Sequence, residues 1–115
     1  MREKRKFVRL HAPIGLVYKT LRKHKRTKTH RTLLKDIGGG GASFVPQEEL
    51  RCGELLQMEI QIPNLAGPVD AVGEVVWFSY GRQGREPMEA AVRFRDIAAK
   101  DLHRILEYVY VVGIG

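Results

Sequence analysis

The sequence predicts a mainly β fold in which about six short antiparallel strands form a small barrel or curled sheet, followed by one amphipathic helix. Three observations carry this. Apolar residues recur with period two in several short runs, as in half-buried strands. Turn signals rich in Gly and Pro separate those runs. Near the C-terminus the period changes to that of a helix. A chain of 115 residues holds one domain, and 43% hydrophobic and 29% charged residues are enough for a modest core.

Residues 14–21 and 29–34 are rich in Val, Ile, Leu, Tyr and Thr and read as strands, with the basic stretch 22–28 as a hairpin tip. Four glycines at 38–41 break the chain, and a short strand over 42–45 ends at Pro46. Leu56, Met58, Ile60 and Ile62 alternate with Gln57, Glu59 and Gln61, which predicts a half-buried strand over 54–62. A turn at 64–68 leads to a strand over 69–80, with a bulge expected at Gly73 and Trp77 expected in the core. After a loop at 81–87, Met88, Ala90, Val92 and Phe94 alternate with Glu89, Ala91, Arg93 and Arg95. Leu102, Ile105, Leu106 and Val109 then form one helical stripe. The helix is expected at about 98–111, with Asp96 as N-cap and Asp101 in an early turn, where negative charge suits the dipole.

Charge is unevenly placed. The formal net charge of +7 divides into +12 over residues 1–35, which hold thirteen Lys/Arg and one acid, and −5 over the remainder. A polyanionic partner is therefore expected at the N-terminal third. One cysteine, Cys52, excludes an internal disulfide framework and reads as an incidental thiol. His11, His24, His30 and His103 lack metal-ligand spacing, so no metal is expected. No paired-carboxylate, triad or Walker motif is present, and an enzyme is the least favoured class. No apolar run approaches the roughly 20 residues of a membrane span. No secretory signal follows the basic opening, and Met1 is read as a natural start, so a cytoplasmic protein is expected.

Two elements bracket the basic third. Arg5 and Arg9 have RxxxR spacing, and Asp36 opens a DxGxxG run through Gly41. In an extended chain residues four apart share a side, roughly 13 Å apart, so both guanidinium groups are available to one ligand of nucleotide size. Their planar donors match phosphate oxygens and the O6/N7 edge of guanine. Asp36 adds an acceptor for guanine N1–H and N2–H₂. The glycine run permits positive φ and close approach of a ligand to backbone N–H groups.

With a Gly-x-Val-Val-Trp strand at 73–77 and the Arg93–Phe94 pair before the last helix, these motifs resemble the PilZ domain family over nearly the whole chain. The resemblance implies a six-stranded antiparallel β-barrel with a C-terminal α-helix, and a bacterial receptor for cyclic di-GMP. It implies a basic N-terminal arm at 1–13 carrying RxxxR, and a single barrel domain at 14–115. Arg5, Arg9, Asp36, Gly38 and Gly41 match the ligand-binding positions, with Lys4, Lys6, Gly39, Gly40 and Arg93 as secondary contacts. Gly38 departs from the family's serine. A lost hydroxyl hydrogen bond of about 1 kcal/mol corresponds to roughly five- to tenfold in affinity.

The partners expected are cyclic di-GMP and a protein acted on in trans, with the apolar tail Val111–Ile114, Tyr108 and Tyr110 available for a homodimer or partner contact. The alternative is a degenerate PilZ-like adaptor that has lost the nucleotide. A third reading is a basic barrel that binds nucleic acid. It is disfavoured because residues 22–31 hold six Lys/Arg but no aromatic residue to stack on bases.

Overall fold

The computed structural model describes residues 9–10, 14–22, 27–63, 67–81 and 88–114. The strands are β1 (Arg9–Leu10), β2 (Ile14–Thr20), β3 (His30–Gly38), β4 (Gly41–Phe44), β5 (Leu55–Gln61), β6 (Val69–Ser79) and β7 (Glu89–Ile97). They are followed by the helix α1 (Ala99–Ile114). All pairings are antiparallel, in the order β1-β3-β2-β5-β6-β7-β4, and β4 pairs back with β3. The six longer strands thus close a barrel, and the two-residue β1 lies along the β3 edge that β2 also uses.

Period-two side chains fill the interior. Leu16 and Tyr18 from β2, Leu56, Met58 and Ile60 from β5, Val69 and Val75 from β6, and Ala90 and Val92 from β7 are all buried. Gly73 is the one inward position of β6 where a side chain does not fit. A Cβ there would meet Met58 Sδ at 2.6 Å and Val92 Cβ at 3.1 Å. The expected irregularity does fall at Gly73, but the extra residue is Arg95 on the opposite strand, since Val72 pairs with Asp96 and Gly73 with Phe94.

The helix lies against β1, β3 and β6. Its buried stripe is Asp101, Ile105 and Val109, with Leu102 half-buried, whereas Leu106, expected to pack, is exposed. Asp101 is buried because Arg104 Nη1 donates to its Oδ1 at 3.1 Å. The same guanidinium donates to Gly67 O at 2.7 Å and Pro68 O at 3.3 Å, tying the helix to the segment before β6. Asp96 is not the N-cap. It pairs with Val72 within β7, and the first helical bonds run from Asp101 N and Leu102 N to Ala98 O. Sheet pairing carries β7 through Ile97 and leaves Ala98 alone to make the turn.

Candidate functional site

The two basic-third motifs meet at one corner of the sheet. β1 sets Arg9 opposite Gly38 and Leu10 opposite Ile37, so the second arginine of RxxxR is in backbone register with the glycine run. Arg5, Lys4 and Lys6 lie outside the described residues. The segment 36–41, read from sequence as a turn, is largely strand. β3 continues to Gly38, only Gly39 and Gly40 bend, and β4 starts at Gly41. Within this hairpin Asp36 pairs with Ser43 and Ile37 with Ala42.

Glycine at 41 has a packing cause. A Cβ there would stand 2.0 Å from Val92 O and 3.0 Å from Arg93 Cα, because β4 runs closely beside β7. Phe94 N also donates to Gly40 O at 2.9 Å, which fixes the hairpin tip to β7. The described glycines with positive φ are Gly53, Gly67 and Gly81. The expected left-handed conformation therefore does not occur in the run, and close approach of backbones is what requires glycine at 41.

Cross-strand partners share a face, so two rows can be followed across the outer wall. One runs Gly41, Arg93, Glu74, Leu55. The other runs Asp36, Ser43, Ala91, Trp77. Asp36 is half-buried and is preceded by Lys35, the extra residue of a register shift between Leu34 and Asp36. Lys35 Nζ pairs with Glu89 on β7. Arg93 Nη2 donates to Glu74 Oε1 at 3.1 Å, and Arg95 Nη1 donates to the same oxygen. These hydrogen bonds, that from Arg93 foremost, hold the Glu74 carboxyl below the usual glutamate range.

Trp77 is a correction to the sequence reading. It is 47% exposed, not core. A second shift in the β6–β7 ladder makes Val76 the extra residue, which turns both Val76 and Trp77 outward. Four successive apolar residues, Val75 to Phe78, were the available signal, since strict alternation cannot send all four inward. Glu74 as the partner of Arg93 was also missed, because the pairing depends on β6–β7 register.

The other sequence features do not converge on this corner. Cys52 is exposed. Among the described residues no group of three or more His, Cys, Asp or Glu side chains gathers as a metal site, and no helix is long and apolar enough to cross a membrane. A shallow cleft of about 250 Å³, lined by Lys19, Gln57, Glu59 and Asp70 among others, opens on β2, β5 and β6, and it contains none of the candidate residues.

A closed six-stranded barrel with a helix at its C-terminal end, and an arginine strand laid beside an Asp-Gly hairpin, define a class of small β-barrel domains. The PilZ domain model matches residues 3–111, and the chain belongs to that family. No curated protein matches the sequence significantly. Among solved structures, the Bacillus subtilis inhibitor of motility, MotI/DgrA, superposes with a TM-score of 0.79 at 21% identity, covering 98% of this chain and 52% of its own. YcgR of Escherichia coli in complex with c-di-GMP gives 0.75 at 18% identity, covering 97% and 47%. The isolated PilZ domain of YcgR with c-di-GMP gives 0.69 at 17% identity, covering 97% and 93%. The chain spans about half the length of MotI/DgrA and of YcgR.

Proposed function

We propose that this chain is a non-catalytic cytoplasmic receptor for cyclic di-GMP in bacterial second-messenger signalling, acting in trans on a partner protein. One observation supports the reading above others. Arg9 lies in register with Gly38, so the arginine motif and the Asp36–Gly41 hairpin are neighbouring strands, with Arg93 across from Gly41. The c-di-GMP named in the YcgR structures supports the ligand's identity, as does the MrkH–c-di-GMP complex of K. pneumonia, which matches with a TM-score of 0.75 at 16% identity.

In this reading Arg5 and Arg9 grip guanine and phosphate with bidentate donors, and Asp36 accepts from the guanine N1–H and N2–H₂. Gly38, Gly39 and Gly40 carry no side chain to keep a phosphate from the bend, Gly38 and Gly39 being themselves buried, and Gly41 keeps the hairpin seated on β7. Lys4, Lys6 and Arg93 add positive charge. Trp77, in the same outward row as Asp36, offers a face on which a base can stack. Bound ligand bridges the basic segment 1–13 to the barrel of 14–115, and the surface so altered is what the partner reads. Gly38 supplies no hydroxyl, so the affinity is about five- to tenfold below that of a serine-bearing site. That same residue favours a second reading, an adaptor that works by protein contact alone.

Isothermal titration calorimetry with cyclic di-GMP, and cyclic di-AMP as the equal-charge control, tests the assignment. Saturable heat is expected from the guanine ligand only. Arg5→Ala and Arg9→Ala are each expected to weaken it by at least about tenfold while the thermal melt stays nearly unchanged. Heat from neither ligand at high protein concentration overturns the receptor reading in favour of the adaptor. A steep loss of binding with salt and no preference between bases would indicate a nucleic-acid surface instead.

A further inference from the structure

The outer wall carries an apolar patch, Leu21, Leu55 and Val76, that nucleotide binding does not use, and only Arg93 at its edge is shared with the proposed ligand site. Leu21 N donates to Leu55 O at 2.9 Å, extending the β2–β5 ladder one pair beyond Thr20 and Leu56. Thr20 and Leu56 are buried, so Leu21 and Leu55 face outward, and both are exposed. Leu55 pairs with Glu74, and Val76 lies diagonally across from it, exposed by the register shift in β6. Diagonal neighbours at roughly 7–8 Å remain within reach of large side chains. Isolated apolar side chains on a surface are ordinary, but a contiguous patch rimmed by charge marks a contact site.

The rim specifies the partner. On one side Arg22 donates to both oxygens of Glu54, at 2.9 and 3.2 Å. On the other, Arg93 and Arg95 share Glu74. In each case the carboxylate is the inner member. The Glu54 side chain is 16% exposed against 37% for Arg22, and Glu74 is 18% exposed against 59% and 58% for Arg93 and Arg95. Solvent therefore meets guanidinium groups at both edges and hydrocarbon between them. A second copy of this patch would bring arginine against arginine, which opposes self-association. Carboxylates flanking apolar side chains are the complement.

We infer that Leu21, Leu55 and Val76, edged by Arg22, Arg93 and Arg95, dock a partner protein through an acidic segment that carries apolar side chains. This gives a surface to the partner half of the function proposed above and rests on that half alone.

The test is to pan a library of short random peptides against the full chain without nucleotide, then measure the most enriched peptide by fluorescence anisotropy. Enriched sequences are expected to combine Asp or Glu with Leu-, Ile- or Phe-type residues. Leu55→Ser and Val76→Ser should each weaken binding about tenfold, as expected for central contacts. Arg22→Ala and added salt should weaken it further. Melts of the variants, which replace exposed groups, check that folding is intact, and cyclic di-GMP calorimetry on the same preparation separates this proposal from the nucleotide reading. Enrichment of basic or uncharged peptides, no enrichment, or binding indifferent to the variants overturns the proposal. So does a concentration-dependent mass in sedimentation that Leu55→Ser abolishes, which would make a second copy the occupant.

Discussion

Along β2, β5 and the first part of β6 the ladders run without a register shift, whereas β3–β4 and β6–β7 are interrupted three times, at Lys35, Val76 and Arg95. Of the described candidate residues, Asp36, Gly38 to Gly41 and Arg93 lie on the interrupted side, and Arg9 on β1 pairs with Gly38 at its edge. Each shift inserts a residue and turns consecutive side chains to one face, which an unbroken strand does not do. Lys35 with Asp36 and Val76 with Trp77 are brought to the outer wall in this way. The uninterrupted side buries Leu16, Tyr18, Leu56, Met58 and Ile60 and turns mostly polar or charged side chains outward, with Val17 and Val72 half-buried among them and Leu21 and Leu55 exposed at its end. One half of the barrel is scaffold. The other trades regular pairing for outward chemistry.

The largest effects should divide along this line. Leu56→Ala, in the regular half, removes a fully buried side chain and should cost about 2–5 kcal/mol by denaturant melting. The cyclic di-GMP affinity of the molecules that remain folded should not change. Gly41→Ala drives a Cβ into Val92 O and should cost about 1–3 kcal/mol. It should also weaken nucleotide binding, because the hairpin must move off β7 to accommodate it. Affinity lost in Leu56→Ala, or retained with full stability in Gly41→Ala, would break the division.

A smaller effect sharpens the comparison from within the regular half. Tyr18 is buried, stacks on His30 at 5.2 Å between ring centroids, and lies 5.1 Å from Phe44. Its hydroxyl oxygen accepts from Gln47 N at 2.9 Å. Tyr18→Phe leaves that N–H without its acceptor and should cost about 1 kcal/mol near neutral pH. Burial pushes the phenol up from 10.0 to about 12. Because burial raises the folded value, and the Gln47 hydrogen bond only opposes this, the stability that goes with keeping the phenol neutral is full below pH 10 and is lost as pH rises from 10 toward 12. Wild type should therefore lose stability in that window relative to Tyr18→Phe. Parallel pH–melt curves would contradict this.

What was legible in the sequence follows the same boundary. The strand over Leu55–Gln61 was evident because Leu56, Met58 and Ile60 alternate without interruption, and local periodicity needs no knowledge of the partner strand. The interruptions were not evident, since each is decided between strands far apart in sequence. Trp77 read as core by counting along its own strand, but its pairing with Ala91 turns it outward. Asp96 read as a cap because the extent of β7 depends on Val72. The pairing of Arg9 with Gly38 was not legible, because nothing in the spacing of the two motifs dictates that β1 lies along β3.

The smallest expected effect concerns a pair that the interruption creates. Arg95 is the extra residue of β7, and through it Glu74 acquires a second guanidinium beside the one from Arg93. The Glu74 carboxyl is held below its ordinary value of 4.5, so its contribution is present above pH 4.5 and is lost as pH falls through the lower folded value. The pairs are at the surface, where salt screens them and side-chain ordering offsets most of the gain. Glu74→Gln should therefore lower the melt only slightly at neutral pH, less at high salt, and the variant and wild type should converge below pH 4.5. A large, salt-independent loss would mean that the bulge is held by this pair. The irregular half would then depend on its surface charges for its shape, and the close fit of Gly41 against β7 would not be enough to account for it.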